Sequence, residues 1–397
     1  MRTPNHYAVA ADYVFDGSVV HRDTAIVIGG SNIVAVTPRA DVGAATSMHA
    51  LPDGLWLAPG FIDVQVNGGG DVLFNDAPTA EGIRAIAAAH RRFGTTAILP
   101  TLISDSLEKM GDALAAVQAA VTDESGVLGI HLEGPFLSPE KPGVHDPRHF
   151  RKPTVEDDAL ILAPRPGVTV VTLAPEQVPE GFVRQLAQAG IRVSLGHSMA
   201  TYAQTQAAIA EGLTGFTHLF NAMRPLGSRE PGPIAAALES SGAFFGMIVD
   251  GVHVDPAMLR LALRGAAQPM LVTDAMPPVG GQRTTFMLYG DEITVWNGRC
   301  LRSDGTLAGA ALTMADAIRN CVEQLGVSLE TALRFASANP ARFLGLDNML
   351  GRLAPGYRAD IVAFAPGTME VVETWVAGQD QHSDVIARED RRVGKGA

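Results

Sequence analysis

The chain has 397 residues, 47% hydrophobic and 18% charged, with 30 Lys and Arg against 42 Asp and Glu for a formal net charge of −12. That length and apolar content indicate a large buried fold plus an accessory part rather than one minimal domain. The acidic balance argues against a nucleic-acid or acidic-membrane surface, and no apolar run reaches transmembrane length.

The first residues, MRTPNHYAVAADYVFDG, lack the apolar core of a secretion signal, and Cys300 and Cys321 suit a reducing compartment, so a cytoplasmic protein is expected. Residues 7–54 alternate apolar and polar positions between Gly-rich turns, as short strands do. The same texture returns near the end in GRLAPGYRADIVAFAPG and MEVVETWVAGQ. Neither end has enough strands to bury a core alone, so 1–54 and 350–397 are expected to share one small β-sandwich. The charged tail from Asp384 to Ala397 is expected to fray.

Between the ends, strand and helix alternate. Strands are expected at 55–62, 95–100, 126–132, 168–173, 191–195, 214–217, 244–249 and 269–273. Helices are expected at 79–93, 104–121, 177–189, 200–211 and 255–266, with Thr79, Ser104 and Asp255 as N-caps and Gly94 and Gly190 as C-caps. Two more, at 313–325 and 328–338, close the unit. This rhythm predicts an α/β fold, a (β/α)8 TIM-like barrel over 55–349 with a β-hairpin insertion at about 282–308.

In such a barrel the polar residues at strand C-termini form the site. The first strand runs into Asp63, Gln65 and Asn67, which alternate and so share a face. The third ends in His131 and Glu133, the fifth and sixth in His197 and His218, the seventh in Asp250 and His253, and the eighth in Asp274. Glu133, His197 and His218 supply one carboxylate and two imidazoles, a set suited to one catalytic zinc, with Fe, Mn or Co as alternatives. Asp274, facing that ion from the last strand, suits general-base work. Glu176, after the fourth strand, is a further acid with a supporting place.

PGFID, HLEGPF, GHS, THLFNAM, GSREPG, DGVHVD and VTDA, in that order from about Ala11 to Gly378, resemble the amidohydrolase superfamily and, within it, the N-acetylglucosamine-6-phosphate deacetylase family. The resemblance implies hydrolysis of the acetamide of N-acetylglucosamine 6-phosphate, giving glucosamine 6-phosphate and acetate. The galactosamine epimer, or another amidohydrolase such as a cyclic amidase or N-acyl-amino-acid deacylase, is the alternative; a catalytically dead scaffold barrel is a third reading. It further implies that His145 polarises the amide carbonyl beside Val144. Asn221 and Ala222 match positions that bind the sugar-phosphate end, and Leu307, Ala308 and Gly309 a backbone segment lining the sugar pocket. Arg229 and His253 bind phosphate across the interface of a homodimer. Most superfamily members carry His-x-His on the first strand for a second metal; this chain has Gln65-x-Asn67. Neutral amides are poor ligands for such ions, so one divalent ion per chain is expected, with Gln65 touching it through water.

Overall fold

The computed structural model describes residues 6–123 and 126–381. Eight parallel strands pair in chain order: Phe61–Val66, Thr95–Ile103, Gly129–Glu133, Val168–Leu173, Arg192–Leu195, Leu213–Phe216, Phe244–Met247 and Gln268–Leu271. The first three are buried at every position, the mark of strands covered on both faces. The first and last strands meet just beyond their ends. Val66 bridges Ala275, and Thr273 Oγ1 donates to Asp63 Oδ2 at 2.6 Å. The wall is thereby nearly closed, as a TIM-like barrel requires.

Thr79 and Asp255 cap the helices Ala80–Arg91 and Pro256–Ala262 as expected, accepting from the amides of Gly82 and Ala257. The next expectation is corrected. The second helix starts at Leu107, and its first turn is capped by Ser106, whose Oγ accepts from Lys109 N–H at 3.2 Å. Ser104 is instead buried beside the site. The helix expected over 328–338 breaks at Ser337 into Leu329–Ala336 and Ala338–Leu344, because Pro340 has no N–H to continue the ladder and Ser337 Oγ donates to the Leu333 carbonyl. Helices at Val155–Ile161 and Gly232–Glu239 were not foreseen. The first carries a capping box, Thr154 with Asp157, which is readable in sequence; the second is hidden by the loop-like Pro-Gly-Pro at its start.

The two ends of the chain build one eight-stranded sheet. Trp56–Pro59 lies at its centre, parallel to His6–Phe15 on one side and antiparallel to Ile361–Ala365 on the other. Val9, Ile26, Leu57, Ile361 and Trp375 share its core. The single strand expected at 55–62 is thus two: 56–59 serves the terminal sheet, and Phe61–Val66 opens the barrel. Gly60 makes the crossing, where a Cβ would overlap the Thr96 side chain. The tail from Asp384 to Ala397 lies outside the described residues.

The insertion is a four-stranded antiparallel meander, Thr285–Leu288, Asp291–Trp296, Arg299–Leu301 and Leu307–Ala310. Its last strand hydrogen-bonds to the segment after the eighth barrel strand, Ala310 N–H to Asp274 O at 3.0 Å. No helix among the described residues is long and apolar enough to cross a membrane.

Gly129 opens the third barrel strand at φ +151°, and a Cβ there would overlap the Val168 carbonyl oxygen on the neighbouring strand. Gly111, in the helix Leu107–Asp123, faces open space. Gly129→Ala should cost roughly 3 kcal/mol of stability, whereas Gly111→Ala should gain about 0.5–1 kcal/mol. Urea unfolding midpoints check the order.

Candidate active site

The site stands where the barrel strands end. Glu133 is the last residue of the third strand. His197, His218 and Asp274 follow the fifth, sixth and eighth, and all three have left-handed backbone, with φ of +49°, +32° and +50°. Non-glycine residues hold such conformations at a cost, and they concentrate where function needs a side chain aimed in one direction.

Glu133 Oε1 lies 3.1 Å from His197 Nε2 and 3.0 Å from His218 Nε2, and the two nitrogens are 3.1 Å apart. All three side chains are buried. His197 Nδ1 is 2.8 Å from the Lys141 carbonyl, which can only accept, so Nδ1 carries the proton and Nε2 of the neutral ring offers a lone pair. A carboxylate oxygen and imidazole lone pairs aimed at one point repel each other unless a cation lies between them. The donor set therefore fits one divalent ion. Burial acts to raise the Glu133 carboxyl, but the close imidazoles of His145, His197 and His218 prevail and hold it well below its usual range. Burial likewise opposes the charged form of His218, yet the adjoining Glu133 carboxylate raises its proton affinity. These groups favour the ionised carboxylate that a metal needs.

Gln65 and Asn67 sit at the foot of this cluster. Gln65 Nε2 donates to Glu133 Oε2 at 3.1 Å and to Asp274 Oδ1 at 3.2 Å; Asn67 Nδ2 donates to the same Asp274 oxygen at 2.7 Å. Where two imidazoles would hold a second ion, the chain presents amide N–H groups, which repel a cation. Asp274 is partly buried, and desolvation followed by the Glu133 charge pushes its carboxyl up to about 6. A carboxylate with that proton affinity can both take up and release a proton near neutrality.

His145 faces the cluster, with Nε2 3.8 Å from Glu133 Oε1. Its Nδ1 accepts from the Ser104 backbone N–H at 3.2 Å, with Ser104 Oγ at 2.9 Å. An N–H cannot accept, so Nε2 carries the ring proton and His145 is a donor toward the pocket. Burial, then the neighbouring His197, bring its pKa down to about 4, which keeps it neutral. Sequence reasoning missed Ser104 by assigning it to a helix cap. It directly follows the last residue of the second barrel strand, Ile103, and the strand-end rule that located the other residues would have included it. The insertion supports this corner: Tyr289 Oη donates to Ser104 O at 2.6 Å, and Arg302 Nη2 to Val144 O at 3.1 Å.

One cavity joins Asn67, Glu133, Val144, His145, His197, His218, Asn221, Ala222, His253, Asp274, Leu307 and Gly309. Ala308 does not line it; strand alternation turns it into the insertion's own apolar cluster. Gln65 lies just below. His131 is inside the barrel, between Val64 O at 2.9 Å and Thr172 Oγ1 at 2.7 Å. Asp63 is the interior clamp already described, and burial pushes it up to about 7. Glu176 accepts from Ser198 Oγ at 2.7 Å and Met199 N–H at 2.5 Å, pinning the segment after His197.

Two expectations about phosphate contacts part here. Arg229 is exposed and does not line the cavity of its own chain. His253, expected to reach a neighbouring subunit's site, lines the cavity of its own chain, because the loop after the seventh strand folds over the barrel mouth.

The sequence profile of the amidohydrolase family matches residues 56–380. The chain belongs to the amidohydrolase family. It is 43% identical over 81% of its length to a protein of Shewanella sp. (strain ANA-3) named N-acetylgalactosamine-6-phosphate deacetylase, 82% of which is covered. It is 35% identical over 94% of its length to the N-acetylglucosamine-6-phosphate deacetylase of Haemophilus influenzae, 98% of which is covered. The crystal structure of N-acetylglucosamine-6-phosphate deacetylase from Pasteurella multocida superposes with a TM-score of 0.91 at 35% identity, covering 94% of this chain and 99% of that one. This amidohydrolase is accordingly a metal-dependent enzyme acting on a carbon–nitrogen amide bond.

Protein purified without added metal should carry close to one equivalent of a divalent ion by elemental analysis, and Glu133→Gln should lose most of it. Two equivalents resistant to mild chelation would contradict the single-site reading of Gln65 and Asn67.

Proposed function

We propose that this amidohydrolase hydrolyses N-acetylglucosamine 6-phosphate to glucosamine 6-phosphate and acetate. The observation that carries the reading is one buried cavity holding a three-donor cation cradle, a neutral imidazole donor in His145 and a proton-accepting carboxylate in Asp274. The names of the relatives support an amino-sugar phosphate as substrate. The 43% identical relative is named for the galactosamine epimer, which favours that sugar as the second reading.

Glu133, His197 and His218 hold the ion, for which zinc is proposed; when bound it acts as a Lewis acid toward the acetamide carbonyl and lowers the pKa of a water. The chain's own groups perform the rest. His145 Nε2–H donates to the carbonyl oxygen as negative charge develops there. Asp274 takes the proton from the attacking water and delivers it to the departing amine nitrogen. Asn67 and Gln65, both donating to Asp274 Oδ1, fix that carboxyl so its other oxygen is left for the proton. Asn221, Ala222, Leu307 and Gly309 surround the sugar. His253 receives the phosphate from within the chain, and the exposed Arg229 serves the phosphate of a neighbouring subunit in a homodimer.

Acetate release measured on both 6-phosphorylated epimers and on unphosphorylated N-acetylglucosamine tests the reading; a rate no better with phosphate than without would overturn it. Arg229→Ala should lower kcat/KM on the phosphorylated sugar about ten- to hundredfold, the worth of a charged hydrogen bond, and spare the unphosphorylated one. Mixed dimers of Arg229→Ala and Asp274→Asn chains should regain activity, because one of the two sites then has both residues intact.

A further inference from the structure

The loop after the seventh barrel strand carries Asp250 and His253, whose side chains are only 10% and 8% exposed. Asp250 Oδ2 lies 2.7 Å from His253 Nδ1. Its other oxygen accepts from the backbone N–H groups of Val252 at 2.8 Å and His253 at 2.9 Å. One carboxylate thus shapes the turn that presents the histidine and holds the ring itself. The turn is braced from behind, where Asn320 Nδ2 donates to Val249 O at 2.7 Å. A carboxylate only accepts, so His253 Nδ1 carries a proton and Nε2 is the ring atom left for another partner. The ring lines the substrate cavity.

We propose that Asp250 is the positioning residue for phosphate recognition: it locks His253 with Nδ1–H on the carboxylate and Nε2 presented to the cavity, where the protonated ring donates to a phosphate oxygen. The assignment rests on the phosphorylated amino-sugar reading. Against burial, the hydrogen bond from His253 holds the Asp250 carboxyl below its usual range, so the anchor is an ionised carboxylate. Arg229 of the same chain is exposed and lies outside this cavity.

Asp250→Asn is the informative variant. Its amide oxygen can still accept from Val252 and His253 N–H and keep the turn, but its NH2 then faces Nδ1 and forces the ring to the opposite tautomer. The metal-loaded protein, labelled with 15N-histidine, reports the tautomer by NMR, with His253→Gln used only to assign the resonance. In the wild type His253 should carry a proton on Nδ1; in Asp250→Asn it should carry one on Nε2 alone. KM for the 6-phosphorylated sugar should rise about ten- to hundredfold, with metal content, kcat and activity on the unphosphorylated sugar little changed. A wild-type His253 lacking the Nδ1 proton would overturn the proposal. So would an unchanged KM, or equal losses on both sugars. The wild-type rate on phosphorylated sugars tests the deacetylase reading, and the ratio of variant to wild type tests the dyad, so the two failures are separable.

Discussion

The structure turns on three electron-pair donors held against one another. Glu133 Oε1, His197 Nε2 and His218 Nε2 stand within 3.1 Å of each other in a buried cavity. Removing a carboxylate from water costs several kcal/mol unless it is paired, and facing it with imidazole lone pairs adds to that cost. A cation held between the donors would offset that cost, and the fold aims all three at one point. Lys141 O sets one ring, left-handed backbone aims both histidines, and the third strand carries the carboxylate.

From that centre two carboxylates, Glu133 buried and Asp274 partly so, diverge in role. Glu133 is surrounded by imidazoles and stays ionised; Asp274 feels burial and the Glu133 charge, and is left with a proton affinity near neutrality. Their separation is maintained by Gln65, whose single amide nitrogen donates to both. Gln65 and Asn67, which stand where other superfamily members carry imidazoles, therefore orient the Asp274 carboxyl. The meander serves the same end from outside. Ala310 pairs with the Asp274 backbone, while Tyr289 and Arg302 hold the loop corner that carries Ser104 and His145.

Much of this could be read from the sequence because barrel chemistry sits at strand ends, and apolar runs ending in His197, His218, Glu133 or Asp274 mark those ends. Contacts made through backbone atoms could not be read: the Lys141 carbonyl and the Ser104 amide have no residue-type signature. Ser104 was misassigned because a serine before an apolar run also describes an N-cap, and Ser106, two residues on, met that description. The resemblance assigns His253 to a neighbour's phosphate; the path of its loop, not legible in the sequence, brings it into the lining of its own cavity. Gly60 looked like part of one strand, yet the contact with Thr96 makes it the crossing between two sheets.

The central claim is that Asp274 moves protons and does not hold the ion. Asp274→Asn keeps the shape and removes the base, so metal content and turnover measured together on that one variant decide it. The variant should retain its ion and bind substrate while kcat falls by about 10⁴-fold, the upper range for a general acid–base group, since the same carboxyl is used twice. A metal-free variant would make Asp274 a ligand, and turnover within about tenfold of the wild type would place the base elsewhere.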